Sequence, residues 1–337
     1  TPQIFTFDIT TGVVEDYMKL IHPSITGLNN SRITGSLNTT ANTMTVDADV
    51  PFFQYDKYQF STIQLKGSGD FSKLTLTGEV GNTQIGDTLF FPETSFSVQA
   101  QNDVSDVTIN TSSNLAINKA NLSAQIKTFH DGVSIGFNPS SFILNGKTWT
   151  LEEGGELNFR KNAVAQGSVT FREANQEIKL WTEPDDEGEY NNLRMAFQHV
   201  NIGDFSPFLT KKNRIEGLLN GEATIEDPQN RFLVSSNLRI NAARLDNDSI
   251  GDLNADIVYD KRTKLASIKF RTLNPEHKVE GTVSLDFRDS LPGIRVQSRL
   301  TNFEMKYLNR FLGTIFSDIQ GYVTGNLDLD FTAGSKD

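Results

Sequence analysis

The sequence predicts an all-β protein: an elongated, curled sheet, antiparallel or mixed, left open as a solenoid-like groove and carrying two or three short helices. Three observations predict it. Apolar and polar residues alternate over most of the 337 residues, and alternate side chains of a strand share a face. Turn-forming clusters punctuate the alternation at short intervals, as hairpins require. A strand pattern opening Ile-x-Gly-x-apolar recurs along the chain, and repeats of that kind build extended sheets.

The elements follow in order. Val14, Tyr17, Met18 and Ile21 are the first residues at helical spacing. Next comes a strand with Ile33, Gly35 and Leu37 on one side, then faces built by Met44, Val46, Ala48 and Val50, by Leu74, Leu76, Gly78 and Val80, by Val107 with Ile109, and by Leu115 with Ile117. Turns are expected at Gly81-Asn82, Asp131-Gly132, Asn145-Gly146, Gly154-Gly155 and Asp260-Lys261-Arg262. A second helical stretch runs from Asp204 to Leu209, with Asp204 as its N-cap and Pro207 in its first turn. The strand Ile215, Gly217, Leu219, Gly221, Ala223, Ile225 then matches Ile319, Gly321, Val323, Gly325, Leu327, Leu329 at a constant offset. Between these two lie strands with Phe232, Val234, Leu238 and Ile240, with Leu253, Ala255, Ile257 and Tyr259, and with Val279, Gly281, Val283, Leu285 and Phe287. Phe303, Tyr307 and Phe311, beside Leu308 and Leu312, form the third helical stretch. The total is roughly 20 or more strands of about five to nine residues.

Sheets of this size curl, split or close, and a curled sheet with a dry concave face encloses a groove. The residues expected to line it are Ile215, Leu219, Ile225, Val234, Leu238, Ile240, Leu253, Ile257, Val279, Val283, Leu285, Ile294, Val296, Ile319, Val323, Leu327 and Leu329. The helical stretches are too short to stand alone in water. They are expected to pack on the sheet, with Tyr17, Met18, Phe208, Tyr307 and Phe311 as plug or corner residues.

No Pro/Ser-rich linker or charge block divides the chain, so one continuous body over 1–337 is expected, with repeat units near 1–140, 141–240 and 241–337. The motif resumes shortly before Asp337, so the chain is expected to be a piece of something longer. A net charge of −11 and a pI near 4.9 argue against a nucleic-acid partner. Cysteine is absent, as suits an oxidising compartment, and no apolar run approaches the ~20 residues of a membrane span.

Catalytic signals are weak. His22, His130, His199 and His277 are scattered without metal-ligand spacing. Gly81-x4-Gly86 imitates a phosphate loop but has Asp87 where a lysine belongs. The loop containing Glu183, Asp185, Asp186, Glu187 and Glu189 reads as solvated, and Asp246-Asn247-Asp248 departs from a calcium loop at Ile250. Asn29, Asn38, Asn110, Asn121 and Asn247 head glycosylation-type sequons that arise readily in an Asn- and Thr-rich chain. No cofactor and no enzyme activity are expected.

Two stretches carry a more specific pattern. One runs from Leu144-Asn145-Gly146-Lys147-Thr148-Trp149 through Leu157-Asn158-Phe159 and Gly167-Ser168-Val169-Thr170-Phe171 to Val200-Asn201-Ile202. The other joins Leu300-Thr301-Asn302-Phe303 to Leu308-Asn309-Arg310-Phe311-Leu312-Gly313 and the strand from Ile319. Together they resemble an internal portion of the TamB family, the translocation and assembly modules related to AsmA-like proteins. The resemblance implies a β-taco groove in the periplasm of a Gram-negative bacterium, tethered to the inner membrane by an N-terminal helix outside this chain. It implies phospholipid as cargo, or a bound detergent in its place, and roles in outer-membrane protein assembly and secretion beside an Omp85-class barrel partner of TamA type. The competing reading is a secreted or surface β-solenoid adhesin with a filled core and no lipid groove.

Overall fold

The structure is a computed structural model that describes residues 3–85, 89–112, 117–151, 155–161, 166–209, 214–246, 248–274, 276–289, 291–308 and 320–332. The chain forms two compact units, one of residues 1–160 with 171–173, the other of residues 161–170 with 174–337. Ile319, Phe311 and Leu115, named above, lie outside the described residues, as do the side chains of Phe208 and Leu308. The fold is all-β with short helical insertions, and the strand pairings among the described residues are antiparallel.

In the first unit the strands are β1 (Ile4–Thr10), β2 (Ile25–Gly27), β3 (Arg32–Asn38), β4 (Thr43–Tyr55), β5 (Tyr58–Gly69), β6 (Lys73–Ile85), β7 (Leu89–Phe91), β8 (Thr94–Gln101), β9 (Val104–Thr111) and β10 (Ile117–Phe129). They continue with β11 (Gly132–Phe137), β12 (Ser140–Leu144), β13 (Lys147–Leu151), β14 (Glu156–Arg160) and the end of β15 (Gly167–Glu173). Successive hairpins pair β3 with β4, β4 with β5 and β5 with β6, while β1 joins β3 across the helix α1 (Glu15–Ile21). β10 then divides: its first half pairs β12 and its second half pairs β11. Around that fork the side chains are fully packed, with Leu144 and Trp149 almost wholly buried beside Leu151 and Leu157. Phe142 stacks on Trp149 at 6.0 Å and tilts against Phe171 at 5.9 Å. At the edge of the fork Arg160 lies 3.9 Å over the ring of Phe129 and grips buried Asp131 at 3.0 Å.

The second unit is a succession of neighbours: β16 (Gln176–Pro184), β17 (Asn191–Asn201), β18 (Ile215–Glu226), β19 (Leu233–Leu245), β20 (Asp248–Asp260), β21 (Leu265–Thr272), β22 (Lys278–Asp286), β23 (Gly293–Glu304) and β24 (Tyr322–Thr332). Each pairs with the next. The helix α2 (Ile202–Leu209) joins β17 to β18, and a 3-10 turn, Met305–Leu308, leaves the end of β23.

Several expectations are corrected by these elements. The sheets are open and uncurled, because alternation assigns faces while curvature depends on twist and bulges that it does not encode. Strands reach 13 residues in β4, β6, β10, β19 and β20, longer than expected. Gly81-Asn82 is no turn: it lies inside β6, where Gly81 stands opposite Thr62, a residue with φ 54°, and the β5–β6 register runs unshifted past the pair. α2 begins at Ile202, so its cap is Asn201, whose Oδ1 accepts the Gly203 N–H at 3.0 Å, and Asp204 sits buried in the first turn with Pro207 in the second. Phe303 belongs to β23, and only Met305–Leu308 coil beyond it among the described residues. α1 lies beside β2 without burying any residue: Met18 is half-buried and Tyr17 is 69% exposed.

Candidate functional site

The cross-strand register of the second unit builds its candidate site row by row. One row runs Leu193, Ile225, Val234, Tyr259, Ala266, Leu285, Ile294 and Phe331. The next runs Met195, Ala223, Ser236, Ile257, Ile268, Val283, Val296 and Leu329, and the third Phe197, Gly221, Leu238, Ala255, Phe270, Gly281, Ser298 and Leu327. A fourth holds Val200, Leu219, Ile240 and Leu253, with Val279 beside Leu300 further along. Past the bulges the same face continues as Ile215 opposite Leu245 and Val323 opposite Phe303. Every expected lining residue within the described set therefore lies on one face of one sheet. Phe270, Ile268, Phe197 and Met195 share it as well, and Ala266, Ile268 and Phe270 alternate as plainly as their neighbours.

These side chains shield one another without being filled in. Val200, Leu300, Ala223 and Ala255 are buried, most others are half-buried, and at the outer strand Leu329 and Phe331 are 41% and 48% exposed. Glycines on the face answer large partners: Phe197 faces Gly221 and Phe270 faces Gly281. The first unit repeats the pairing with Phe7 over Gly35 and Phe96 over Gly78.

The opposite face is polar. Asn237 donates to Asp256 at 2.6 Å, and Asp328 accepts from Arg295 and Gln297, both at 3.1 Å. The Arg295 guanidinium, then Gln297, hold the Asp328 carboxyl below its ordinary value. At the edge of this face Asp252 accepts from the Ala242 N–H at 3.0 Å and from Arg239 and Asn241 at 2.9 Å, and these donors, the backbone one foremost, lower its carboxyl likewise.

At the end of the apolar face the 3-10 turn folds back from β23 over β22 and β21, and the Tyr307 hydroxyl donates to the Ser249 carbonyl of β20 at 2.6 Å. Burial pushes the Tyr307 phenol up, so it stays protonated and donates. Beneath it is a recess of about 280 Å³ lined by Ile250, Leu253, Phe270, Val279, Phe303 and Tyr307. Thr272, Asn274, His277 and Glu304 supply its polar rim. The His277 ring stacks on Tyr322 at 5.4 Å, and its Nδ1 is 2.6 Å from the Asn302 carbonyl, which can only accept. Nδ1 therefore carries the proton.

The other polar motifs have local structural partners. Asn29 Oδ1 accepts the Val14 and Glu15 N–H groups and so caps α1 from outside, where Val14 has no side chain able to do so. Asn121 donates to Asn110 across β9–β10. Glu183 takes Arg194 at 2.6 Å, and Asp185 accepts the Glu189 and Tyr190 N–H groups to close its loop. Among the described residues no group of three or more His, Cys, Asp or Glu side chains converges as a metal site would, and no helix is long and apolar enough to cross a membrane. Comparison with protein-family models, curated proteins and solved structures found no match.

Proposed function

We propose that the apolar face of the second unit holds phospholipid acyl chains, as a segment of a periplasmic, envelope-spanning protein of the TamB type that acts as conduit or scaffold. The observation that carries this reading is the set of four cross-strand rows, apolar and part-exposed, on a sheet whose other face is paired and polar. A contiguous apolar surface of that kind marks an interaction site in a soluble protein. Hydrating a 16-carbon chain costs on the order of 12 kcal/mol. An uncurled sheet covers one side of such a chain, so it recovers roughly half of that, about 6 kcal/mol. The eight strands of these rows, at ~4.8 Å spacing, carry the surface across roughly 34 Å. Roles in outer-membrane protein assembly and secretion, beside an Omp85-class partner, belong to the same reading. So does tethering to the inner membrane through a segment outside this chain.

The test is native mass spectrometry with organic extraction of the protein purified without detergent. Phospholipid in near-stoichiometric amount is expected. A protein that emerges lipid-free from lipid-rich lysate, and takes up none from vesicles, overturns the reading and favours a surface adhesin.

A further inference from the structure

We propose that the recess beneath Tyr307 is a binding site for a compact, neutral ring compound, with a bicyclic aromatic alcohol as its type ligand. It lies at one end of the apolar face and rests on that face being exposed, not on its carrying phospholipid. Size comes first. An apolar cavity of about 150 Å³ holds a single benzene, and this recess has about 280 Å³, the room for two fused rings. Its walls supply aromatic faces and edges from Phe270, Phe303 and Tyr307, with Leu253, Ile250 and Val279 filling between them, which suits ring-on-ring contact.

Charge and polarity narrow the class. Glu304 already pairs with Lys306 at 2.8 Å, so the rim offers no uncompensated charge, and an ionic ligand would lose its hydration without a partner. A single hydroxyl does find partners. His277 has its Nδ1 proton committed to Asn302, leaving Nε2 to accept. Asn274 has its Oδ1 committed to the Glu276 and His277 N–H groups, leaving its amide NH2 to donate. One acceptor and one donor at the rim are the complement of one hydroxyl. The Tyr307–Ser249 hydrogen bond, made across 58 residues of sequence, holds the roof in place.

The experiment is calorimetric titration of 1-naphthol into the full 337-residue chain and three variants. Wild type should show one saturable site. Val279→Trp, which fills the recess, and Tyr307→Ala, which removes its roof, should each weaken binding at least tenfold. Val296→Trp lies on the same face but about 13 Å along the strand from Leu300, and it should bind within twofold of wild type. Absence of a saturable site, unchanged affinity in Tyr307→Ala, or an equal loss in Val296→Trp overturns the proposal. Should Val279→Trp fail to fold by circular dichroism, Tyr307→Ala decides, since its side chain belongs to a turn outside the strands. Phospholipid measured on the same preparations separates the two readings. Naphthol bound to lipid-free protein supports this site and sinks the phospholipid reading; lipid bound without a saturable naphthol site does the reverse.

Discussion

Three non-glycine residues among those described in the second unit have left-handed backbone where strand pairing slips: His199, Ala242 and Asn302, each with φ 50°. A bulge leaves one N–H without a ladder partner, and in each case a side chain of the facing strand takes it. Asn220 serves His199 at 2.9 Å, Asp252 serves Ala242 at 3.0 Å, and Thr324 serves Asn302 at 2.9 Å. Asn220 and Thr324 occupy equivalent places in the two matching strands, so the repeat preserves the task with a different chemical group. Replacing Asp252 by Ala strands the Ala242 N–H and loosens Arg239 and Asn241; a loss of about 1 kcal/mol in urea unfolding is expected, with Asp252→Asn losing less. The equivalent glycines Gly221 and Gly325 part company. Gly221 has φ +122° and a Cβ there would strike the Asn237 carbonyl, whereas Gly325 has open space. Gly221→Ala should cost about 1–3 kcal/mol and Gly325→Ala close to nothing, read from paired denaturation curves. Acid gives a third readout. The Arg288 side chain, foremost, and its N–H hold the Asp286 carboxyl at about 2, against an ordinary 3.8. A depressed carboxyl contributes its stability above the unfolded value and loses it as pH falls through the folded one, so the β22–β23 turn should loosen between about pH 3.8 and about 2. The NMR titration midpoint of Asp286 should sit near 2 and rise toward 3.8 in Arg288→Ala.

At the scale of elements, the three short helical insertions interrupt β1–β3, β17–β18 and β23–β24, always between strands that pair or near their outer member, yet they are held differently. α2 buries Ile202 and Ser206, and Ser206 Oγ accepts the Ile215 N–H at 2.9 Å, so packing on β18 fixes it. α1 has no such contact and depends on Asn29 for its first N–H groups. Asn29→Ala should weaken α1 by about 1 kcal/mol. Hydrogen exchange of residues 17–22 should accelerate while the β3–β4 and β4–β5 ladders keep their protection; acceleration spreading into those ladders would show that α1 supports the sheet. What was legible in sequence follows the same division. Period-two alternation placed Val234, Leu238 and Ile240 on one face with Leu253 and Ile257, because the face of a strand is a local property. Helix starts are less legible, since Asp204 has the residue type of a cap while Asn201, three positions earlier at the end of β17, caps α2. The left-handed slips at His199 and Asn302 and the roofed recess under Tyr307 were invisible, because they arise from register between segments far apart in the chain.

For the molecule as a whole, the decisive property is that each strand of the second unit divides its side chains between a dry and a wet face, and that the dry face is not a core. The contrast lies within the protein: the fork around Trp149 is filled, with Leu144 and Trp149 at 1% and 0% exposure, while Leu238 and Val283 are only half-buried. A charge in a filled core is stranded. At a half-buried site a lysine lays its methylene stem along the apolar surface and carries its ammonium to water. Leu238→Lys and Val283→Lys should therefore each cost about 1–2 kcal/mol, within the ordinary range of point substitutions, whereas Leu144→Lys should prevent folding of the first unit. Under the lipid-holding function the two lysines also interrupt adjacent rows of the face, so phospholipid recovered per protein should fall by more than half in either variant. Melting curves and lipid extraction on the same samples check both parts. Collapse of the fold in both lysine variants would mean that this face is packed away as a core, and lipid recovery unchanged in two well-folded variants would mean that acyl chains do not lie on it.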